Sequence, residues 1–324
     1  MRYNRVAMPE LPEVETVRIG LQRLLPGHQV AKVDFDWTKS FPNSATDVQK
    51  FLIGSTVQEV RRRAKVLLID LSTGYTLVVH LKMTGQLVFV GKRESPVSSH
   101  QSPAKTSDSR RATGDNASVE RFGAGHPNDS LVGELPDRST RVILTFADGG
   151  HLYFNDQRKF GWMRLLPTVE VPNIDFMKKV GPEPLEADFT PAVFAERLQR
   201  RKNSTIKAAL LDQTVVAGIG NIYADESLWG AKIHPETRVK NIGHQQLNTL
   251  FDQIQYILTL AIEKGGSSDK NYVNAEGKRG SYLSFARVFR REGQLCPDCS
   301  TNIIKIRVAG RGTHLCPSCQ KLTK

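Results

Sequence analysis

The apolar positions change period along the chain. Between Val14 and Leu25, Val14, Val17, Leu21 and Leu24 recur at helical spacing, with Glu13 and Glu15 near the start, where carboxylates suit the helix dipole. An early amphipathic helix is predicted there. Short β-rich runs follow at VLLIDL (66–71), LVVHL (77–81), VILTF (142–146) and HLYF (151–154), with turn residues at 72–74 and 147–150. These predict an antiparallel β-sandwich or barrel. Residues 92–137 interrupt them with Ser-, Pro-, Gly- and Asn-rich sequence, read as a flexible insert. From residue 189 the texture turns helical. Thr190-Pro191 is an N-cap followed by proline at N1, and Phe189 with Phe194 suits a hydrophobic staple. Further helices are predicted over 204–212, 221–230 and 244–264.

The fold expected is therefore α+β: an N-terminal antiparallel β-sandwich with an early helix, a helical C-terminal domain, and a small cysteine-bearing end. The segments are an extension over 1–8, the sandwich over 9–166, a linker over 167–188, the helical domain over 189–288 and the terminal unit over 289–324.

All four cysteines lie in that last unit. Cys296, Cys299, Cys316 and Cys319 form a C-x2-C-x16-C-x2-C pattern, in which two short turns can close tetrahedral thiolate coordination of one Zn2+. With every position taken by sulfur, such a zinc is structural, organising a hairpin without activating water. The 324 residues carry 45 Lys and Arg against 33 Asp and Glu, a net charge of +12. Residues 278–324 hold ten of those cations and only Glu292 and Asp298 as acids. That asymmetry favours a polyanionic partner, nucleic acid foremost. No apolar run of membrane-spanning or signal-peptide type occurs, so a cytoplasmic, nucleoid-associated protein is expected, with no membrane partner.

The segment Met8-Pro9-Glu10-Leu11-Pro12-Glu13-Val14-Glu15-Thr16-Val17 resembles the start of the formamidopyrimidine-DNA glycosylase family. Similar patterns recur in family order at Arg62-Arg63-Ala64-Lys65, His80-Leu81-Lys82-Met83, Asn155 to Gly161, Leu211-Asp212-Gln213, Gly218-Ile219-Gly220-Asn221 to Glu226, and Gly310-Arg311-Gly312-Thr313. The resemblance implies a helix-two-turn-helix domain ending in a zinc-finger β-hairpin. It also implies a monomeric glycosylase and abasic-site lyase acting on damaged double-stranded DNA without a nucleotide cofactor. Pro9 would be the nucleophile and Glu10 the adjacent acid. Lys65 would reach the phosphate and lesion side, and Arg311 would grip phosphate. Met83, Arg158 and Phe160 would fill the void left by the extruded nucleotide, and Asn221 would open a phosphate-binding helix start. Residues 270–284 are polar and glycine-bearing, either a lesion-capping loop, as the resemblance implies, or a plain linker.

The chemistry has its own logic. A terminal secondary amine, with a pKa of about 8 when unperturbed, is partly neutral at physiological pH and can attack a sugar C1′. Since a proline nitrogen inside a peptide bond has no free lone pair, Met8 is expected to be the true start of the active chain. Two other functions fit parts of the pattern: an endonuclease VIII-type glycosylase for oxidised pyrimidines, and a non-catalytic zinc-ribbon DNA-binding protein. Leu11 and the set Met83, Arg158 and Phe160 favour the purine branch. Gln157, Lys159 and Ser300 depart from the residues frequent in the family, where proline, arginine and glycine are common.

Overall fold

The computed structural model describes residues 9–92, 119–126, 128–267 and 281–323. The expectations placed on residues 1–8, on 93–118 of the insert and on 268–280 of the loop lie outside them. Helix α1 (Leu11–Leu24) opens the fold. Its Leu11, Val14, Val17 and Leu21 are fully buried, the stripe that the sequence spacing requires. Two antiparallel sheets follow. One has five strands in the order β1 (Val30–Phe35), β7 (Thr140–Phe146), β8 (His151–Asp156), β5 (Gly85–Lys92) and β6 (Val119–Gly125). The other runs β2 (Val57–Arg63), β3 (Val66–Leu71), β4 (Tyr75–His80) and β9 (Trp162–Pro167). A short helix α2 (Ala45–Asp47) connects β1 to β2. Both sheets and α1 enclose one core, with Leu67, Ile69, Leu77, Val79, Leu87, Phe89, Leu152 and Phe154 facing inward. The four runs read from sequence as strands all lie in this sandwich.

The reading of 92–137 as a flexible insert is corrected for its described part. Residues 119–125 form β6, paired with β5 through seven registered positions, and Asp129–Leu131 make a 3-10 turn. Glycines and polar residues hide the reason. Phe122 and Ala124 alternate inward and are buried, and the Phe122 ring fills the place where a Cβ on Gly20 of α1 would stand. Leu131 is buried against Val88 and Tyr153 on the outer face of the same sheet.

Past a short helix α3 (Asp175–Lys179), the second core is built from α4 (Pro191–Gln199), α5 (Ile206–Leu211), α6 (Asn221–Gly230) and α7 (His244–Glu263). Thr190 caps α4 by accepting the Val193 N–H, and the Phe189 and Phe194 rings meet at 5.7 Å. Helix α7 buries Leu247, Leu250, Phe251, Ile254, Ile257, Leu258 and Ala261 along one face. In α6 every residue from Ile222 to Trp229 is buried, so it is enclosed on all sides. The chain ends in a hairpin of β10 (Ile304–Val308) and β11 (Arg311–Leu315).

A carboxylate clamps the sandwich to the second core. Glu183, 8% exposed, accepts from Arg62 Nη1 at 2.7 Å, from Arg63 Nη1 at 2.9 Å and from the Ala64 N–H. Arg63 also donates to the Gly181 carbonyl at 2.7 Å. Ala64 sits at φ +53°, a left-handed turn that an alanine holds only when its surroundings impose it. Removing one partner of a buried pair leaves uncompensated charge. Glu183→Ala is therefore expected to cost about 3 to 5 kcal/mol, read as a lowered midpoint in thermal unfolding, whereas Glu183→Gln keeps an acceptor and loses less.

Candidate active site at the junction of the three units

The first described residues enter the interior at once. Pro9 is buried, and Glu10, 2% exposed, is the extended N-cap of α1. Its carboxylate lies on the start of α6: Oε1 accepts the Ile222 N–H at 3.0 Å and Oε2 the Tyr223 N–H at 3.5 Å. Two glycines make the approach possible. A Cβ on Gly220 would overlap the Glu10 carboxylate, and one on Gly218, whose φ is +79°, would come within 2.6 Å of Leu11. The Leu11 N–H closes the contact on the Gly218 carbonyl at 3.0 Å. Gly218-Ile219-Gly220 therefore serves as a receptor for Glu10. The N–H groups of Ile222 and Tyr223 are engaged by this carboxylate.

Burial pushes the Glu10 carboxyl up to about 7; the Lys65 ammonium and the two N–H groups pull it down, and neighbouring Glu13 pushes it up. Lys65 is itself 8% exposed, and its Nζ donates to the Ile219 carbonyl at 2.9 Å. Burial lowers its pKa, Glu10 and Glu13 oppose that, and Arg311 adds to it. Lys65 thus faces Glu10 across the junction and is no solvated strand-edge charge.

Several residues here escaped the sequence reading. Glu13, read as a helix-dipole residue, is buried and collects the Glu10 N–H at 2.8 Å, the Tyr223 hydroxyl at 2.6 Å and the Ser267 N–H at 2.7 Å. Lys207 and Asp225 are a fully buried ion pair at 2.5 Å. Lys207 also donates to Thr313 Oγ1 at 2.6 Å, and Asp225 accepts the His314 N–H at 2.9 Å. Asn221 donates from Nδ2 to the Gly312 carbonyl at 3.0 Å. The three fix the β10–β11 hairpin against α5 and α6, with Arg311 exposed beside its tip.

The four cysteines converge. Their Sγ atoms lie within 4.8 Å of one another, with Cys299–Cys316 and Cys299–Cys319 at 3.4 Å and Cys296–Cys319 at 3.9 Å. Tetrahedral zinc with Zn–S near 2.3 Å places sulfurs about 3.8 Å apart, so the set fits one structural Zn2+. Trp229 of α6 packs with Cys296, Cys316, Val288 and Ile303, joining this finger to the helix.

Met83, Arg158 and Phe160 are brought together at the surface. Arg158 Nη1 lies 3.1 Å from Met83 Sδ, and its guanidinium 5.1 Å from the centre of the Phe160 ring, which is 54% exposed. The loop is shaped from below by Asp156, fully buried, whose Oδ1 accepts the Arg158 N–H at 3.1 Å while Oδ2 accepts the Phe160 and Gly161 N–H groups at 2.8 and 2.6 Å. His80 shapes the other side. Its Nδ1 accepts the Lys82 N–H at 3.1 Å, and burial with nearby Lys82 and Lys65 drops its pKa to about 3, so it stays neutral.

A sandwich with a buried Pro9-Glu10 pair, a helix start that receives it and a four-thiolate finger define a class of DNA-processing protein. Residues 8–163 match the model for the formamidopyrimidine-DNA glycosylase N-terminal domain, 180–272 the H2TH domain of the same glycosylase, and 293–322 the zinc finger found in FPG and IleRS. The chain is 38% identical to the formamidopyrimidine-DNA glycosylase of Latilactobacillus sakei, over 97% of this chain and 98% of that one, and 36% identical to that of Pelotomaculum thermopropionicum, over 97% and 100%. Its fold is similar to the Lactococcus lactis Fpg bound to DNA containing an abasic site (TM-score 0.77, 34% identity, 96% and 99% covered) and to the same enzyme with N7-benzyl-Fapy-dG DNA (TM-score 0.76, 34%, 97% and 100%). The chain belongs to the formamidopyrimidine-DNA glycosylase family.

The glycine receptor gives a sharp expectation. Gly220→Ala places a methyl group where the Glu10 carboxylate now sits, so strand cleavage should fall at least about tenfold, the size of one misplaced acid, while affinity for lesion duplex changes little. An alanine variant as fast as the parent in single-turnover cleavage would show that Glu10 does not need this seat.

Proposed function

We propose that this chain is a bifunctional DNA glycosylase and abasic-site lyase of base-excision repair that removes oxidised purines, formamidopyrimidines and 8-oxoguanine, from duplex DNA. The observation that carries the reading is the burial of Pro9 and Glu10 together at the point where α1, Lys65 and α6 meet. Such enzymes extrude the damaged nucleotide into a pocket and leave a gap in the stack. Met83, Arg158 and Phe160 supply an apolar wedge and a donor for that gap. The basic finger, with Arg311 at its tip, supplies phosphate contacts whose strength depends on salt.

In the proposed reaction the free Pro9 nitrogen attacks C1′ of the extruded nucleotide. The glycosidic electron pair leaves with the base, which takes up a proton, and protonation of the ring oxygen by Glu10 opens the sugar to a Pro9 iminium. Elimination of the 3′ phosphate and then the 5′ phosphate cuts the strand on both sides of the sugar, and water then hydrolyses the remaining iminium, releasing the sugar as an aldehyde and freeing the Pro9 amine. Glu10 suits the acid step because its carboxyl keeps a proton up to about pH 7, where an ordinary glutamate is ionised. Lys65, buried beside Glu10 and of opposite charge, favours the ionised carboxylate and so opposes the effect of burial. The zinc stays outside the chemistry: four thiolates hold it and it organises the finger.

Two outcomes test this. Borohydride reduction during turnover of an 8-oxoguanine:cytosine duplex should give a covalent adduct located on Pro9 by peptide mass spectrometry, for chains starting at Met8 with Met8 removed and not for chains retaining residues 1–8. A chain that binds the duplex and never traps would leave only a DNA-binding zinc protein. Above pH about 7 the ring-opening rate should fall roughly tenfold per unit as Glu10 loses its proton, because the acid form is the active one. That limb should vanish from the residual activity of Glu10→Gln.

A further inference from the structure

The loop that presents the wedge sends one side chain elsewhere. Arg158 and Phe160 turn to Met83, but Lys159 between them adopts φ +58°, a left-handed conformation that a lysine takes when the surrounding bonds impose it. The Asp156 carboxylate, by accepting N–H groups on both sides of it, imposes this one. The result carries the Lys159 ammonium away from the wedge to lie 4.8 Å from the centre of the Trp37 ring. Lys39, from the turn that follows β1, lies 5.9 Å from the same ring. Trp37 is half-buried, while both lysines are exposed. Neither lysine has a carboxylate partner among the described residues; nearby Asp36 is held by Arg141.

A cation over an indole face keeps its full charge and most of its hydration while losing freedom of position. This matters for lysine, whose ammonium rides on a flexible four-carbon stem and lacks the rigid fork with which arginine grips a phosphate. Two such held ammoniums on the surface beside the Met83, Arg158 and Phe160 wedge present a pair of positioned positive charges to an anionic partner. Resting on the DNA reading above, we propose that Trp37, Lys39 and Lys159 form a second contact surface for the phosphate backbone of the duplex beside the wedge, with Trp37 as the positioning residue for both cations.

The test is fluorescence anisotropy of full-length protein on a duplex carrying a stable abasic analogue, over a range of salt concentrations. Lys159→Gln and Lys39→Gln should each reduce the slope of log affinity against log salt by about 1, the signature of one lost phosphate contact. Trp37→Leu keeps both charges and should weaken binding about two- to fivefold. It should add nothing when both lysines are already replaced. Single-turnover cleavage at saturating protein should match the parent in every variant. Unchanged salt slopes in the double lysine variant, or a Trp37→Leu loss that persists undiminished in that background, would overturn the proposal. If Trp37→Leu lowers the unfolding midpoint, the two exposed lysine variants decide alone. A parent chain that does not bind the lesion duplex would instead remove the DNA reading beneath it.

Discussion

The Glu10 carboxylate seated on the start of α6 is the contact on which the arrangement of the molecule depends. A carboxylate taken out of water is costly unless donors meet it or a proton neutralises it. Here both remedies are in play: the Ile222 and Tyr223 N–H groups and the positive end of an enclosed helix meet the charge, and burial still raises the carboxyl to about 7. Neither donor belongs to the unit that carries Glu10. The acid is therefore complete only when the sandwich and the helical domain are docked, which ties protonation state to domain arrangement. Glu183, from the linker, secures the same docking on the Lys65 side through Arg62, Arg63 and Ala64.

Helix α6 passes this order on to the finger. Its first turn receives Glu10, its middle offers Asp225 to Lys207 and to the His314 N–H, and Trp229 near its end packs against Cys296 and Cys316. A helix with one wet face could not serve three partners in this way. The finger's hairpin, organised by zinc, is thereby held at a set height above the junction, with Arg311 close enough for its charge to depress Lys65 and Lys207. Cations thus come from three directions, the β2–β3 turn, α5 and β11, around one acid.

What the chain discloses before folding follows from which forces are local. The period of Val14, Val17 and Leu21, the cap at Thr190, the strand runs and the two Cys-x2-Cys turns all express interactions within a few residues, and the structure bears out the elements read from them. Met83 lies 75 positions from Arg158 and meets it only through the β5–β8 pairing, so resemblance alone placed them together. Glu13 was legible only as a helix-dipole carboxylate and the Lys207–Asp225 pair was not legible at all, because their long-range partners lie 18 to 254 positions away. β6 was hidden by composition: one phenylalanine among glycines and charges is a weak signal until Gly20 of α1 offers it a place. The glycine turn at 218–220 was legible as a turn, and the occupant that it accommodates, Glu10, was not.

Docking against α6 turns Glu10 into an acid that holds its proton near neutrality. Infrared difference spectroscopy of the full-length protein, with glutamate carboxyls isotopically labelled and Glu10→Gln as the reference, reads that protonation directly. A carboxyl band that disappears with a midpoint near pH 7 and is absent from the Glu10→Gln protein is the expected result. A Glu10 that ionises near the ordinary 4.5 would contradict the account, because its carboxylate would then be charged throughout the range in which the proposed chemistry needs a proton.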